Sequence, residues 1–394
     1  MIKHVKKPIA WQSRASRIAL ALVVVSLCAL PSFAAESWQP GKTHAVIIGV
    51  CKWKADLTRY SRRHRKDQEL RDLLVTRGTP AENITMLLDS KATLSNIRRA
   101  IDETLRRTTG ESTLLVYYAG HGWKAGDDFC FANYDVRLGP RNRETVWSMN
   151  ELATVVAEGF HGQRAIFWGD CCYSGGMQRV VEKLATRNVA SFSLTSAATA
   201  NTSTGNWTFT QGILDGLAGG PLIDTNNDGT ITLGELRAEV ENAMHHMEGQ
   251  QSGFYAEGVD DNLVIAETSG EVAQAPQARY PIGSYVRARG RYGRVVAVGG
   301  DDATEYSVQF YNYTDKVVKK YAQADLVAST RKPHRPVARV KPDCKVQWRG
   351  RWYDAKVLRA EEGRWFIHYI DDDDSWDEWV GKDRIRFTND NREE

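Results

Sequence analysis

Ala165-Ile166-Phe167-Trp168-Gly169-Asp170-Cys171-Cys172-Tyr173-Ser174-Gly175-Gly176 is an apolar run that ends abruptly in an acid, two thiols, hydroxyls and two glycines. A short apolar run of this kind is the pattern of a buried parallel strand. Ligands of open α/β sheets bind outside the carboxyl ends of the strands, which places Asp170 and Cys172 where chemistry is usually done. Taken alone, the same letters also describe a strand ending in a glycine turn, with two cysteines as small buried hydrophobes.

A second stretch has the same build. Thr113-Leu114-Leu115-Val116-Tyr117-Tyr118-Ala119-Gly120-His121-Gly122 runs as an apolar strand into a histidine between two glycines. His121 precedes Cys172 by about 50 residues, a spacing known for a histidine and a nucleophilic cysteine. A thiol is only slightly ionised at neutral pH, and a neighbouring imidazole is the usual means of activating it.

On these residues the chain resembles the caspase-like cysteine peptidases, in particular the metacaspases and their bacterial relatives. Tyr118-Ala119-Gly120-His121-Gly122 is similar to the family's histidine motif, and Asp170-Cys171-Cys172-Tyr173-Ser174-Gly175 to its Asp-x-Cys-x-Ser-Gly motif. The animal-caspase signature around the cysteine is absent. The resemblance runs roughly from Thr43 to Met247. It implies an α/β/α sandwich and an endopeptidase in which Cys172 is the nucleophile and His121 the general base. Backbone amides near Gly122 and Cys172 are expected to hold the oxyanion, because glycine lets backbone approach closely. Cys171 points the other way along a strand and receives no role. In metacaspases an aspartate placed as Asp67 joins that of the cysteine motif in the S1 pocket. Asp67 and Asp170 would then select arginine or lysine through charge-assisted hydrogen bonds. Asp67 reads equally as an acid favourably placed at a helix N-terminus.

The 394 residues suggest two or three domains, and 42% hydrophobic with 26% charged residues excludes a disordered chain. Lys3, Lys6, Lys7, Arg14 and Arg17 precede the apolar run Ile18–Leu30 and then Pro31-Ser32-Phe33-Ala34-Ala35. This reads as a secretory signal over residues 1–35, too short for a comfortable span; an uncleaved membrane anchor is the alternative. Residues 1–35 hold five of the 52 basic residues and none of the 49 acids, so their loss leaves 47 against 49, net −2. The overall +3 therefore makes no case for nucleic-acid binding. Five of six cysteines remain once Cys28 leaves, an odd count that points to a free reactive thiol in an exported protein.

Strands are expected at His44–Val50, Ile84–Leu88, Leu114–Tyr118, Ala165–Trp168 and Ser191–Ser196, and helices at Lys66–Arg77, Ser95–Arg107 and Met149–Glu158. Leu70, Leu73 and Leu74 form the buried stripe of the first helix, and Ile97, Ile101 and Leu105 that of the second. The alternation predicts a mostly parallel sheet covered on both faces, in a domain over residues 43–265. Arg179, Lys183 and Arg187 stand four apart just past Cys172. They suit one face of a surface helix or a flexible segment open to self-cleavage.

Asp224-Thr225-Asn226-Asn227-Asp228-Gly229-Thr230-Ile231-Thr232-Leu233-Gly234-Glu235 matches an EF-hand calcium loop. Asp224, Asn226, Asp228, Thr230 (through its carbonyl) and Glu235 are the expected calcium ligands, ahead of a helix over Leu233–His245. Gly216, Gly219, Gly220 and Pro221 interrupt any preceding helix, so a purely structural turn is the other reading. Residues 266–279 read as a linker. Beyond it, residues 280–328 and 337–388 alternate short strands with glycine turns, which predicts two small SH3-like all-β barrels separated by the two prolines of Ser329–Pro336. The second resembles chromo-barrel or Tudor-knot modules, with Tyr353, Tyr369 and Trp376 at positions of an aromatic cage. Asp372 stands where that family has another tryptophan. The same aromatics also suit the core of a small barrel.

Together these features predict an exported, secreted or periplasmic, caspase-like cysteine endopeptidase acting on protein or peptide substrates. It would need no cofactor for its chemistry, a calcium ion being expected at the turn only to steady the domain, and its barrels would bind a ligand of unknown kind. The alternatives are an inactive caspase-fold binding protein and a transpeptidase on the same scaffold.

Overall fold

The computed structural model describes residues 36–138, 145–270, 278–300, 302–311, 316–330, 343–348, 351–361, 363–369 and 378–387. Its strands begin with β1 (Thr43–Gly49), β2 (Ile84–Leu88) and β3 (Thr113–Ala119). The small antiparallel strands β4 (Gly122–Ala125), β5 (Asp128–Phe131) and β6 (Trp147–Ser148) follow the histidine. Then come β7 (Arg164–Asp170), β8 (Ala190–Thr195), β9 (Thr230–Thr232), β10 (Gly253–Glu257) and β11 (Val264–Glu267). The helices are α1 (Lys66–Thr76), α2 (Leu94–Arg107), α3 (Met149–Gly159), α4 (Gln178–Ala185), α5 (Thr208–Leu217) and α6 (Leu233–Ala243).

The central sheet runs β2-β1-β3-β7-β8-β10, parallel throughout except for β10 at its edge. Alternation along the strands makes its two faces. Val46, Ile48, Leu114, Val116 and Phe167 face Ile97, Ile101 and Leu105 of α2, together with α3 and α4. Ala45, Ile47, Leu115, Ile166 and Trp168 face Leu70 and Leu74 of α1, with α5 and α6 beyond. Leu73 is only partly buried, because the stripe of α1 is narrower than the three leucines suggest. Thr93 caps α2 by accepting from the Asn96 amide at 3.2 Å.

Several elements go beyond the sequence patterns, α4, α5 and β10 among them. Helix α4 buries Val180, Val181 and Leu184 and takes Arg179 and Lys183 into helix, in line with the first reading of those residues. Helix α5 carries Gly212 and Gly216, poor helix formers. Their value is in packing: a Cβ on Gly216 would stand 2.4 Å from Leu236 Cδ1 of α6. Strand β10 is antiparallel and half-buried, so it lacks the continuous apolar run of its neighbours. Helix α6 ends at Ala243 and continues as one π turn, Met244–Glu248.

Two five-stranded antiparallel sheets follow, one within Tyr285–Ala328 and one within Cys344–Phe387. Val286, Val295, Tyr306 and Val308 build the first core, and Val346, Ala355 and Ile367 the second. A register shift bends the long strand of each, Arg291–Gly299 and Arg351–Glu361. Among the described residues the last strand of each sheet pairs with the first and not with the fourth, so hydrogen bonding leaves both sheets open. No helix among the described residues is long and apolar enough to cross a membrane.

The first of these sheets is docked on the α/β part. Arg294 Nη1 donates to Glu239 Oε2 of α6 at 2.6 Å, both side chains buried, and Nη2 to the Leu222 carbonyl at 2.9 Å. His246 of the π turn stacks on Tyr285 at 4.5 Å and meets Ser329 Oγ through Nδ1 at 2.9 Å. Removing one partner of a buried ion pair strands the other charge, whereas replacing both by apolar groups is often neutral. Arg294→Ala should therefore destabilise the protein by about 3–5 kcal/mol, and Arg294→Met with Glu239→Leu should recover most of that loss. Chemical denaturation of the three proteins checks it; equal loss in single and double variants would mean that the pair does not hold the sheet.

Candidate active site

The parallel register builds the site. Gly49 of β1 pairs with Ala119 of β3, and Ala119 pairs with Asp170 of β7. His121 and Cys172 each lie two residues beyond that common level. Neighbouring strands stand about 4.8 Å apart, so the two loops leave the sheet side by side. They touch at Gly122, where a Cβ would fall 2.1 Å from the Cys172 carbonyl oxygen and 3.0 Å from Cys171 Sγ. Gly122, next to His121 in the chain, thus lies against the Cys172 backbone, and Cys171 is turned into the core. After Cys172 the chain reverses through Tyr173 in the left-handed region, φ 56°, a conformation costly for a side chain with a Cβ. The turn is clamped to the loop after β8, with the Tyr173 amide on the Asn201 carbonyl at 3.0 Å and the Gly175 amide on that of Ala197 at 2.8 Å.

His121 is held through both ring nitrogens. Nε2 lies 2.8 Å from the Thr58 carbonyl oxygen. A carbonyl only accepts, so Nε2 carries the proton and Nδ1 keeps the lone pair. Nδ1 receives the Tyr60 hydroxyl at 2.8 Å. Burial lowers the imidazole's pKa below its ordinary value and raises that of the Cys172 thiol. Both groups therefore rest neutral. The Ser203 amide donates to Cys172 Sγ at 3.2 Å, and the thiol faces the Ser203 carbonyl at 3.6 Å.

Asp170 closes a small cavity lined also by Val50, Tyr60, Gly120, Gly205 and Trp207. Thr210 Oγ1 donates to Asp170 Oδ2 at 2.6 Å, and Tyr117 in turn hydrogen-bonds Thr210 Oγ1 at 2.7 Å. Burial pushes the Asp170 carboxyl up to about 7, against the opposing effect of its Thr210 and Ser196 hydrogen bonds. Asp67 is not on the cavity wall. It sits fully buried where Gly49 leaves room, since a Cβ there would lie 1.7 Å from Asp67 Oδ2. Arg65 Nη2 meets that oxygen at 2.6 Å and also donates to the Gly49 carbonyl at 2.9 Å, while Nη1 reaches Asp89 at 2.8 Å. The negative charge of Asp67 faces an arginine of its own chain.

The other predicted sites lie elsewhere. Asp224, Asn226, Asp228, Thr230 and Glu235 share one turn. Asp224 accepts from the Asp228 and Gly229 amides at 3.1 and 3.0 Å, and Glu235 from the Thr225 and Thr232 amides at 2.8 and 3.0 Å. With Glu235 folded back to cap α6, no three His, Cys, Asp or Glu side chains among the described residues stand as a metal-holding group. Tyr369 is built into the core of the second sheet and donates to Glu378 at 2.7 Å; Tyr353 packs against the same core. Trp376 lies outside the described residues. Thr58, Tyr60, Ser203 and Thr210 are site residues that no sequence pattern singles out. Nothing in the irregular segment 51–65 marks Thr58 or Tyr60, and hydroxyl residues such as Ser203 and Thr210 are common in loops and helix starts.

No protein-family model matches the chain, and no curated protein matches its sequence. Solved structures do resemble it. A structural-genomics protein from Geobacter sulfurreducens is 12% identical, with 58% of this chain and 100% of that one covered and a TM-score of 0.40. Caspase-1 from Spodoptera frugiperda is 16% identical, with 54% and 79% covered and a TM-score of 0.35. The Drosophila initiator caspase Dronc is 10% identical, with 68% and 94% covered and a TM-score of 0.36.

Proposed function

We propose that this protein is an exported caspase-like cysteine endopeptidase that cuts after arginine or lysine. The observation that carries this reading is the shared register, which sets His121 and Cys172 two residues beyond paired strand ends. Cys172 Sγ would attack the scissile carbonyl carbon while its proton passes to His121 Nδ1. Backbone amides beside Cys172 and Gly122 would hold the oxyanion. As the intermediate collapses, His121 returns the proton to the leaving amine and an acyl-enzyme remains; water then releases it by the reverse proton path. Asp170 would receive the basic side chain, with Asp67 serving the loop through Arg65. The two C-terminal sheets would bind a targeting ligand.

A second reading, an inactive binding protein on this scaffold, draws on the fact that His121 and Cys172 are each held by other groups. Cysteine substitutions separate the two. Cys172→Ala should abolish cleavage of arginyl peptides, and Cys171→Ala should keep most of it. Covalent labelling by an arginyl thiol-reactive peptide, mapped by mass, should fall on Cys172; no labelling and no cleavage would leave the binding protein.

The raised carboxyl of Asp170 gives the pH dependence a sign. Only the carboxylate attracts a basic side chain, and with its pKa near 7 the charge appears as pH rises. The kcat/KM for an arginyl substrate should climb through about pH 7. In Asp170→Asn it should fall by about 3–5 kcal/mol of transition-state binding. The remaining rise should shift below 6.5, where neutral His121 appears. Identical profiles in both proteins would remove Asp170 from the pocket.

For the turn we propose calcium as ligand, entering as Glu235 releases Thr225. A cation would relieve repulsion among Asp224, Asp228 and Glu235, and binding only the folded state adds about 2.7 kcal/mol at a hundredfold excess over Kd. The Tm should rise in millimolar calcium, and Asp224→Ala should abolish the rise. A flat melting curve in the parent protein would leave a structural turn.

A further inference from the structure

Tyr60 bridges the two functional halves of the site. We propose that Tyr60 is its positioning residue: the hydroxyl holds the basic nitrogen of His121, the ring walls the Asp170 cavity, and a basic substrate side chain must displace it. This rests on the peptidase reading of His121 and Cys172.

The hydrogen-bond roles are forced. With Nε2 committed to the Thr58 carbonyl, Nδ1 can only accept, and Tyr60 supplies the donor at 2.8 Å. Burial raises the phenol's pKa, so the hydroxyl keeps its proton. That lone pair is the one a nucleophilic thiol needs. While Tyr60 occupies it, Cys172 turns to Ser203 instead. The ring completes an aromatic cluster, 4.7 Å from His121 and 5.8 Å from Trp53.

Its other edge faces the cavity. A Cβ on Gly205 would lie 3.1 Å from Tyr60 Cε1, so the glycine admits the ring to the wall. The space left open is about 20 Å³, room for about one water and far below the roughly 300–1,000 Å³ of a ligand pocket. An arginine side chain cannot enter with Tyr60 in place.

The flanking residues leave the ring room to turn. Arg59 and Ser61 on either side are exposed, and residues 57–63 hold no helix or strand. Both roots are pinned: Asp89 takes the Cys51 and Lys52 amides at 2.8 and 3.1 Å, and Arg65 joins Asp67 and Asp89. Substrate would turn the Tyr60 ring about its side-chain torsions, with the Tyr60 amide still on the Cys51 carbonyl at 2.9 Å and the Thr58 carbonyl still on His121 Nε2 at 2.8 Å, opening the cavity and freeing Nδ1 in one motion.

Tyr60→Phe removes the hydroxyl and keeps the ring; Tyr60→Ala removes both. Three measurements on the full chain test the idea: the rate of Cys172 alkylation by iodoacetamide, the nitrogen chemical shifts of His121, and cleavage of an arginyl peptide. Tyr60→Phe should speed alkylation about tenfold, the weight of one neutral hydrogen bond, and shift the Nδ1 resonance in a protein that stays folded. Tyr60→Ala should also lower KM for the arginyl peptide, because the cavity opens. Slower alkylation in Tyr60→Phe would make Tyr60 a proton relay and overturn the proposal, as would an unmoved Nδ1 resonance. Faster alkylation with no cleavage in any variant would sink the peptidase reading and leave the role of Tyr60 standing.

Discussion

Parallel pairing of β1, β3 and β7 is the constraint on which the rest depends. A parallel ladder fixes register along its whole length, and a slip of one residue would turn every side chain to the opposite face. Because alternate residues of these strands enter two different cores, neither face tolerates that slip. The pairing of Gly49, Ala119 and Asp170 is therefore enforced by burial far from the site. The loops that leave the sheet after those three residues inherit the alignment: Val50 and Cys51 on one side, His121 in the middle, Cys172 beyond. Precision at the site comes from apolar packing within the sheet.

Electrostatics then distinguishes two aspartates that look alike in the sequence. Asp67 and Asp170 are both buried beside strand ends. Asp67 meets Arg65, whose guanidinium also spans Asp89 and the Gly49 carbonyl, so the buried charges are paired and saturated with hydrogen bonds. That is the condition under which buried ions are tolerated. Asp170 has the Thr210 and Ser196 hydroxyls for company, and burial holds its proton more tightly. One acid is structural cement for the β1–α1 loop, and the other lines a small cavity.

The segment from α6 to β10 ties the docked β sheet to the same site. Glu239 and His246 face the sheet. Glu248 accepts from Asn206 at 2.9 Å, and Gln250 accepts from the Thr204 amide at 3.1 Å. Thr204 and Asn206 line the Asp170 cavity, and Ser203 of the same loop holds the Cys172 thiol. One short stretch of chain thus has the β sheet on one side and the loop lining the Asp170 cavity on the other.

Much of this is legible in the letters. Apolar runs that end in Gly-His-Gly and Asp-Cys-Cys declare buried parallel strands, because hydrophobic patterning is a local property. The strands His44–Val50, Ile84–Leu88 and Leu114–Tyr118 differ from the structure by a residue at most at either end. Helix α4 is only half legible, as one of two readings of its basic residues, and α5 is not legible. Short length speaks against the first and glycines against the second, until a partner helix makes close approach worthwhile. Which acid faces a cation, and which side chain holds the histidine, lie beyond the sequence altogether. Those answers are contacts between residues as distant as Tyr60 and His121 or Asp170 and Thr210, and only folding the sheet brings them within hydrogen-bond reach.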